Sequence, residues 1–284
     1  MIFQKSLILT TAILLSSVGL TACDQAKEKP SEGEANSLQT IKKNDVIRVG
    51  VFADNPPFGY VDSQGKPQGF DVALAKKVAK DLLGDENKIE YVVTEAANRV
   101  EFLKSDKVDV VFASFSVTPE RKEVVDFAEP YLKASLGITS PKNSPITDIQ
   151  QLENRTLIVN KGSSSDSYFS KNYPKVKLLK FEQNTDAFSA LKDGRGDAIS
   201  QDSTYALAWA TENPEFVVGI PQIGNEDFIA PAVKKGNTEL LNWLNTEIKQ
   251  LRTSGEIQNI YNQTLKPIYG DKVDSQIFLK VSDE

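Results

Sequence analysis

Apolar and polar positions along the chain follow two alternating rhythms. "DVIRVGVF" (45–52) is a short run rich in β-branched residues that ends at the Pro-Pro loop "ADNPPFGY", the composition of a buried strand. In "GFDVALAKKVAKDLLG" (69–84) the period changes. Leu74, Val78 and Leu82 fall four apart on one helical stripe, and Gly84 provides the stop. "KIEYVVT" (88–94) reads as a strand, "NRVEFLKS" (98–105) as a short helix and "VDVVFA" (108–113) as a third strand. Strands alternating with helices predict βαβ units and parallel pairing.

The rhythm then restarts. Strands are predicted at 155–162, 176–181 and 196–200, with helices at 163–173, 185–194 and 203–210 between and after them. The stretches "SPKNSPITD" (140–148) and "IPQIGNEDFIAP" (220–231) flank this second set, and two amphipathic helices, 238–251 and 255–265, follow. There is no repeat at the level of residues, only of element order. The pattern predicts an α/β protein of two lobes, each a central, mostly parallel sheet flanked by helices, joined by more than one crossing of the chain.

Composition narrows what such a protein can do. The 284 residues include no histidine and a single cysteine, Cys23. Ser-His-Asp and Cys-His catalysis, histidine metal sites and histidine pH switching are thereby excluded. A formal net charge of −6 argues against nucleic acid as a partner. Residues 1–22 have a Lys5-bearing start, an apolar run and small residues at the end, the form of a secretory signal. The run closes on Leu20-Thr21-Ala22-Cys23, which resembles a bacterial lipobox; that resemblance implies cleavage before Cys23 and its lipidation. Several acyl chains give stable anchoring. Residues 23–39 carry almost no large apolar side chains and read as a flexible tether.

Polar residues of chemical interest fall just beyond strands, where open α/β sheets hold their ligands. Arg99 opens a helix after "YVVT"; Ser114, Ser116 and Arg121 follow "VDVVFA". Ser163, Ser164 and Ser165 follow "LIVNKG", and Asp202 follows "GDAISQ". Thr118 is a good N-cap and Pro119 fits the first helical position, which puts Arg121 where the positive end of a helix disfavours a cation. A bound carboxylate would compensate it, with hydroxyls completing the site, while Asp202 would suit an ammonium. Singly, each fits a plainer role: Arg121 a surface pair with Glu123 or Asp126, Arg99 one with Glu95 or Glu101, and Asp202 and the serines helix caps. Together they describe a clamp for a zwitterion.

"GFDVALAKKVAKDL", "NRVEFLKSDKVDVVFASFSVTPERKEVVDFAEPY" and "GRGDAISQD" resemble the type 3 extracellular solute-binding proteins of bacterial ABC importers, over roughly residues 40–266. The resemblance implies a periplasmic-binding-protein fold of type II, with residues 40–137 and 229–284 in the first lobe and 138–228 in the second. It implies that Ser114, Ser116 and Arg121 bind an α-carboxylate, Ser163 and Ser164 assist, and Asp202 takes the α-ammonium. Several members carry a ligand-stacking aromatic about where Asn55 stands here; Phe58 and Tyr60 are the alternatives for lining the pocket, with core packing open for Phe58. Another departure is Ala73, where an acidic residue is usual in the family. Arg99 resembles the residue that meets a side-chain carboxylate in acidic amino-acid binders, whereas "EAANR", "VNKGSSSDSYF" and "RGDAISQD" resemble a branch that binds cysteine.

The expected ligand is therefore a small polar L-amino acid, cysteine first, with glutamate or aspartate beside it. Capture is reversible and without chemistry, and needs no cofactor or metal. The implied partners are a free amino acid, an ABC permease with its ATPase, and a membrane reached through the lipid anchor. The protein is expected to be a monomer outside the cytoplasm, on the periplasmic side of the inner membrane in a Gram-negative cell, where Asp24 resembles a retention signal. A cyclohexadienyl dehydratase-like enzyme and a ligand-sensing co-receptor are the alternatives on the same fold.

Overall fold

A computed structural model describes residues 37–271 and 273–281. The signal segment and the lipobox at Cys23 lie outside the described residues. The chain becomes helical at Leu38–Asn44, capped by the Ser37 hydroxyl on Thr40 N (3.2 Å), so helix begins inside the segment expected to be tether up to residue 39. Ile41 anchors this helix in the core.

Two five-stranded sheets lie within one compact unit. The first runs, in spatial order, Ile89–Val93, Ile47–Val51, Val110–Val111, Ala232–Lys234 and Val125–Phe127. The second runs Lys177–Phe181, Thr156–Asn160, Ala198–Asp202, Leu132–Pro141 and Phe216–Ile229. In each, four strands run in one direction, three of them paired parallel as the βαβ rhythm requires, and a single strand, Ala232–Lys234 or Leu132–Pro141, runs against its neighbours. The sheets are thus mixed, with one direction dominant as expected. The antiparallel members are the segments that cross between the lobes or return from them, and period-2 alternation is weak there.

The crossing is a paired ribbon. Leu132–Pro141 and Phe216–Ile229 run antiparallel from Leu132↔Ile229 to Pro141↔Phe216, with three register irregularities between Val218 and Asp227. The lobe limits expected at 137/138 and 228/229 fall within these two continuous strands.

Local sequence explains the elements that position the site. Helix Phe70–Leu83 buries Leu74, Ala75, Val78 and Ala79 on the stripe read from the sequence, with Leu82 partly buried beside them. Each large side chain so buried contributes about 1.5–3 kcal/mol. Gly84 ends the helix at φ 81°, its N–H on Lys80 O. Gly69, at φ 115°, starts it. A Cβ there would meet Phe58 O at 2.3 Å, so only glycine lets the chain turn tightly enough to put Asp71 in the first helical turn, under the end of the strand at Val110–Val111.

Candidate functional site

A small cavity is lined from both sheets' strand ends. The first lobe contributes Phe52, Asn55, Ala96, Arg99, Ser114 and Ser116; the second contributes Asn160, Ser163, Ser164, Ser165, Asn184, Gln201, Asp202 and Tyr205. Its only ionisable lining groups of opposite sign are Arg99 and Asp202.

The first-lobe wall is braced. Asp71 is fully buried and accepts from Ser114 N (2.8 Å), Ser114 Oγ (3.2 Å) and Tyr131 Oη (2.8 Å). Burial pushes its carboxyl up to about 6 against the opposing pull of these donors. Ser114 has φ 44°, a conformation that a serine holds only when its surroundings fix it. Asn55 Nδ2 donates to Ser114 Oγ (3.2 Å), and the buried Asn55 Oδ1 has no partner.

Arg99 is 3 % exposed, and its guanidinium lies against the rings of Phe115 (4.3 Å) and Phe52 (5.6 Å). It donates to four carbonyl oxygens: Ala96 through Nε (3.1 Å), Ala113 and Ser114 through Nη1 (3.0 and 3.1 Å), and Gly162 through Nη2 (3.4 Å). Burial, and then Arg121, lower its pKa well below the usual value. Four of its N–H groups are thus committed to backbone, while the side chain stays in the cavity lining.

Arg121 sits in the single turn Pro119–Lys122, where the Thr118 hydroxyl caps Arg121 N (3.2 Å) as the sequence predicted. A turn of four residues carries too little aligned dipole to make the placement costly. Its guanidinium lies over Phe115 (4.8 Å), on a ring that Arg99 also contacts. Nη1 donates to Ser116 O (2.7 Å) and Ser164 Oγ (3.2 Å), and Nη2 to Gly162 O (3.0 Å), so Arg121 spans the two lobes at the cavity rim rather than lining it. Burial lowers its pKa to about 10, and the negative charges of Asp202 and Asp227 oppose that fall. Of the plainer pairings, Asp126 takes Lys235 instead, and no ion pair between Arg121 and Glu123 is found among the described residues.

The second-lobe wall differs. Ser163 caps helix Ser164–Asn172 through Asp166 N (3.1 Å), Ser164 Oγ meets Ser116 Oγ (3.0 Å) across the cleft, and Ser165 pairs with Ser200 (2.9 Å). Asp202 occupies the N-cap position of helix Ser203–Glu212 but makes no capping bond. No hydrogen bond of its carboxylate is found among the described residues. Burial pushes its pKa up to about 6, while Arg99 and Arg121 pull it back through space. A half-buried anion left without donors at a cavity wall is an open valence for a cation.

One sequence expectation needs restating, and some lining residues were missed. Phe58 is 1 % exposed in the first-lobe core and takes no part in the cavity, because the Gly69 turn folds over it; Phe52 supplies the aromatic wall instead. The buried amides Asn160, Gln201 and Asn184 were missed. Gln201 Nε2 donates to Asn160 Oδ1 (2.6 Å) and Asn184 Oδ1 (3.3 Å). Asn160, at the end of "TLIVN", and Gln201, beside Asp202, obey the same after-strand rule as the residues that were found. Tyr205 and Ala96 carried no signal of that kind.

The sequence matches the model of the bacterial extracellular solute-binding proteins, family 3, over residues 47–267. The chain belongs to this family. It is 33% identical over 273 residues to the ABC transporter glutamine-binding protein GlnH of Bacillus subtilis, spanning 93% of this chain and 97% of that one. Among solved structures it is similar to the solute receptor for L-cysteine of Neisseria gonorrhoeae, with 56% identity, TM-score 0.85, and 86% and 99% of the two chains covered. The cysteine-binding protein of Campylobacter jejuni is 51% identical, with TM-score 0.84 and coverage of 85% and 98%. The two-lobe architecture is that of the family. Among the described residues no helix is long and apolar enough to cross a membrane, and no cluster of acidic or sulfur ligands could hold a metal.

Proposed function

We propose that this solute-binding protein captures one small, net-neutral amino acid, L-cysteine in first place, and delivers it to an ABC permease and its ATPase. The observation that carries the reading is the donor-free carboxylate of Asp202 facing Arg99 and Arg121 across a small polar cavity. A ligand ammonium on Asp202 and a carboxylate between Ser116 and Ser164, beside Arg121 Nη1, use both signs of charge at once. Three or four hydrogen bonds to charged groups, at about 1.5–3 kcal/mol each, bring affinity into the micromolar range.

A lining with one cation and one anion favours a ligand of zero net charge. The four N–H groups that Arg99 gives to carbonyls remove the main support for glutamate or aspartate. The unpartnered Asn55 Oδ1 can accept from a short side-chain donor, and a thiol is one. The likeness to two proteins described as cysteine-binding points the same way. Closure works through the ribbon of Leu132–Pro141 and Phe216–Ile229, the only paired strands that run from one lobe into the other among the described residues. Cys23 would carry the lipid that keeps the protein at the outer face of the cell membrane. Cys23→Ser should then release it into the soluble fraction.

A thermal-shift screen of the twenty amino acids and cystine, under reducing and non-reducing conditions, tests the ligand. Ligand at about 100 times its Kd adds about 2.7 kcal/mol, which raises Tm by several degrees. L-cysteine should give the largest shift. A larger shift with glutamine or glutamate overturns the cysteine assignment, and no shift with any of them overturns capture itself.

A further inference from the structure

Helix Asn184–Lys192 of the second lobe starts without a cap of its own: Gln183, in the N-cap position, makes no side-chain bond to it. The cap comes from the other lobe. Asp54, which lies outside the cavity lining in the short strand Asp54–Asn55, accepts from Thr185 N (3.1 Å) through one carboxylate oxygen and from Asn184 Nδ2 (3.1 Å) through the other. Its backbone carbonyl accepts from Tyr205 Oη (3.3 Å). An N-cap oxygen normally serves the second or third helical N–H from within the same chain turn. Here the residue that serves it is 131 positions away and on the facing lobe.

Two of the three groups that hold Asp54, Asn184 and Tyr205, also line the cavity. Asn184 Oδ1 in turn accepts from Gln201, which binds Asn160, so a row of amides runs along the cavity wall and ends on Asp54. On the opposite side of the cleft the lobes meet where Gly162 approaches Ala97, so closely that a Cβ would lie 2.7 Å from Ala97 Cα. There the Gly162 carbonyl also accepts from Arg99 and Arg121, whereas the Asp54 contact brings a negative charge to a helix N-terminus.

We infer that Asp54 is a positioning residue for ligand capture: it caps a helix of the facing lobe only when the lobes are closed, and so adds stability to the closed form without touching the ligand. Opening about the ribbon leaves both the carboxylate and the first turn of helix Asn184–Lys192 to water. The capping interaction therefore enters the closing equilibrium and, through it, the apparent affinity. The inference builds on the capture reading, and failure of that reading would show first as no wild-type Tm shift with any amino acid, before the variants are compared.

The test uses the full-length protein and its Asp54→Ala and Asp54→Asn variants. Calorimetry is run with L-cysteine under reductant, or with whichever of the twenty amino acids shifts the wild-type Tm most, so that an error in ligand identity does not count against the latch. Asp54→Ala should raise Kd by about 3- to 30-fold, mainly through faster release, the range that loss of an N-cap implies. Asp54→Asn retains an acceptor and caps helices about as well as aspartate, so it should return Kd to within about threefold of wild type. In the ligand-saturated protein, where the lobes are closed, amide exchange at Thr185 should be severalfold faster in Asp54→Ala than in wild type. An unchanged Kd in Asp54→Ala, including one accompanied by a lower Tm, overturns the inference. So does failure of the asparagine rescue, or equal exchange at Thr185.

Discussion

Asp71, fully buried, and Asp202, half-buried, both have carboxyls pushed up to about 6, yet they stand on facing walls of the cleft and do opposite work. Asp71 is saturated: two donors from Ser114 and one from Tyr131 fix it, and it fixes Ser114 in return. Asp202 has no donor among the described residues and feels two guanidinium groups only through space. The same side chain, with its carboxyl raised to a similar extent, is thus a brace in one wall and a vacancy for a cation in the other. Hydrogen-bond accounting, rather than burial or pKa, separates scaffold from site.

The contrast can be broken most severely at the clamp itself. Arg121→Ala removes the interlobe guanidinium and should abolish detectable amino-acid binding by calorimetry; retention of wild-type affinity would end the zwitterion clamp. Asp202→Asn should raise Kd by about 30-fold or more, the cost of truncating one partner of a buried charge pair. Its ligand-free Tm should stay level or rise, because an uncompensated buried charge is relieved. Asp71→Ala should behave in reverse. It should lower ligand-free stability by about 1–3 kcal/mol, since buried Ser114 and Tyr131 donors lose their acceptor, with a smaller loss of affinity. If the two substitutions produced the same profile, the distinction between brace and vacancy would fail.

A pH titration sharpens the same comparison with a smaller effect. Asp202 has its folded pKa raised above its unfolded value, so the folded, ligand-free protein holds a proton there from about pH 4 to 6 that the unfolded chain has released. Its contribution to stability is therefore favourable at low pH and is lost as pH rises through about 6. An ammonium ligand needs the carboxylate, so affinity runs the other way and should fall about tenfold between pH 7 and pH 5. Isothermal titration at the two pH values, with Asp202→Asn as the pH-insensitive control, checks it. The smallest effect is expected from Phe58→Leu, which should cost about 1 kcal/mol of stability while leaving Kd within about twofold, as its place in the core and outside the cavity requires.

Much of this was legible in the chain. The stripe of Leu74, Val78 and Leu82, the stop at Gly84 and the cap at Thr118 were all read from local pattern, because capping and amphipathic periodicity are decided within a few residues. Arg99, Ser114, Ser116, Ser163, Ser164 and Asp202 all converge on one cavity because they end strands of parallel units, a rule of topology that spacing expresses. The ribbon of Leu132–Pro141 and Phe216–Ile229 was not legible. Its two strands pair across about 80 residues, and the register irregularities erase the alternation that would betray them.

Sequence by itself determined the class of fold, the residues that gather at the cleft and the signs of their charges. Those follow from periodicity, chain direction and side-chain chemistry, which are local. Tertiary structure alone decided which of those charges are already satisfied: that Arg99 gives its N–H groups to carbonyls, that Asp202 in a capping position does not cap, and that Asp54 caps a helix on the other lobe. Each of these depends on a partner 14 to 131 residues away or on the lack of one, and a hydrogen bond acts over about 3 Å of space, whatever the distance along the chain.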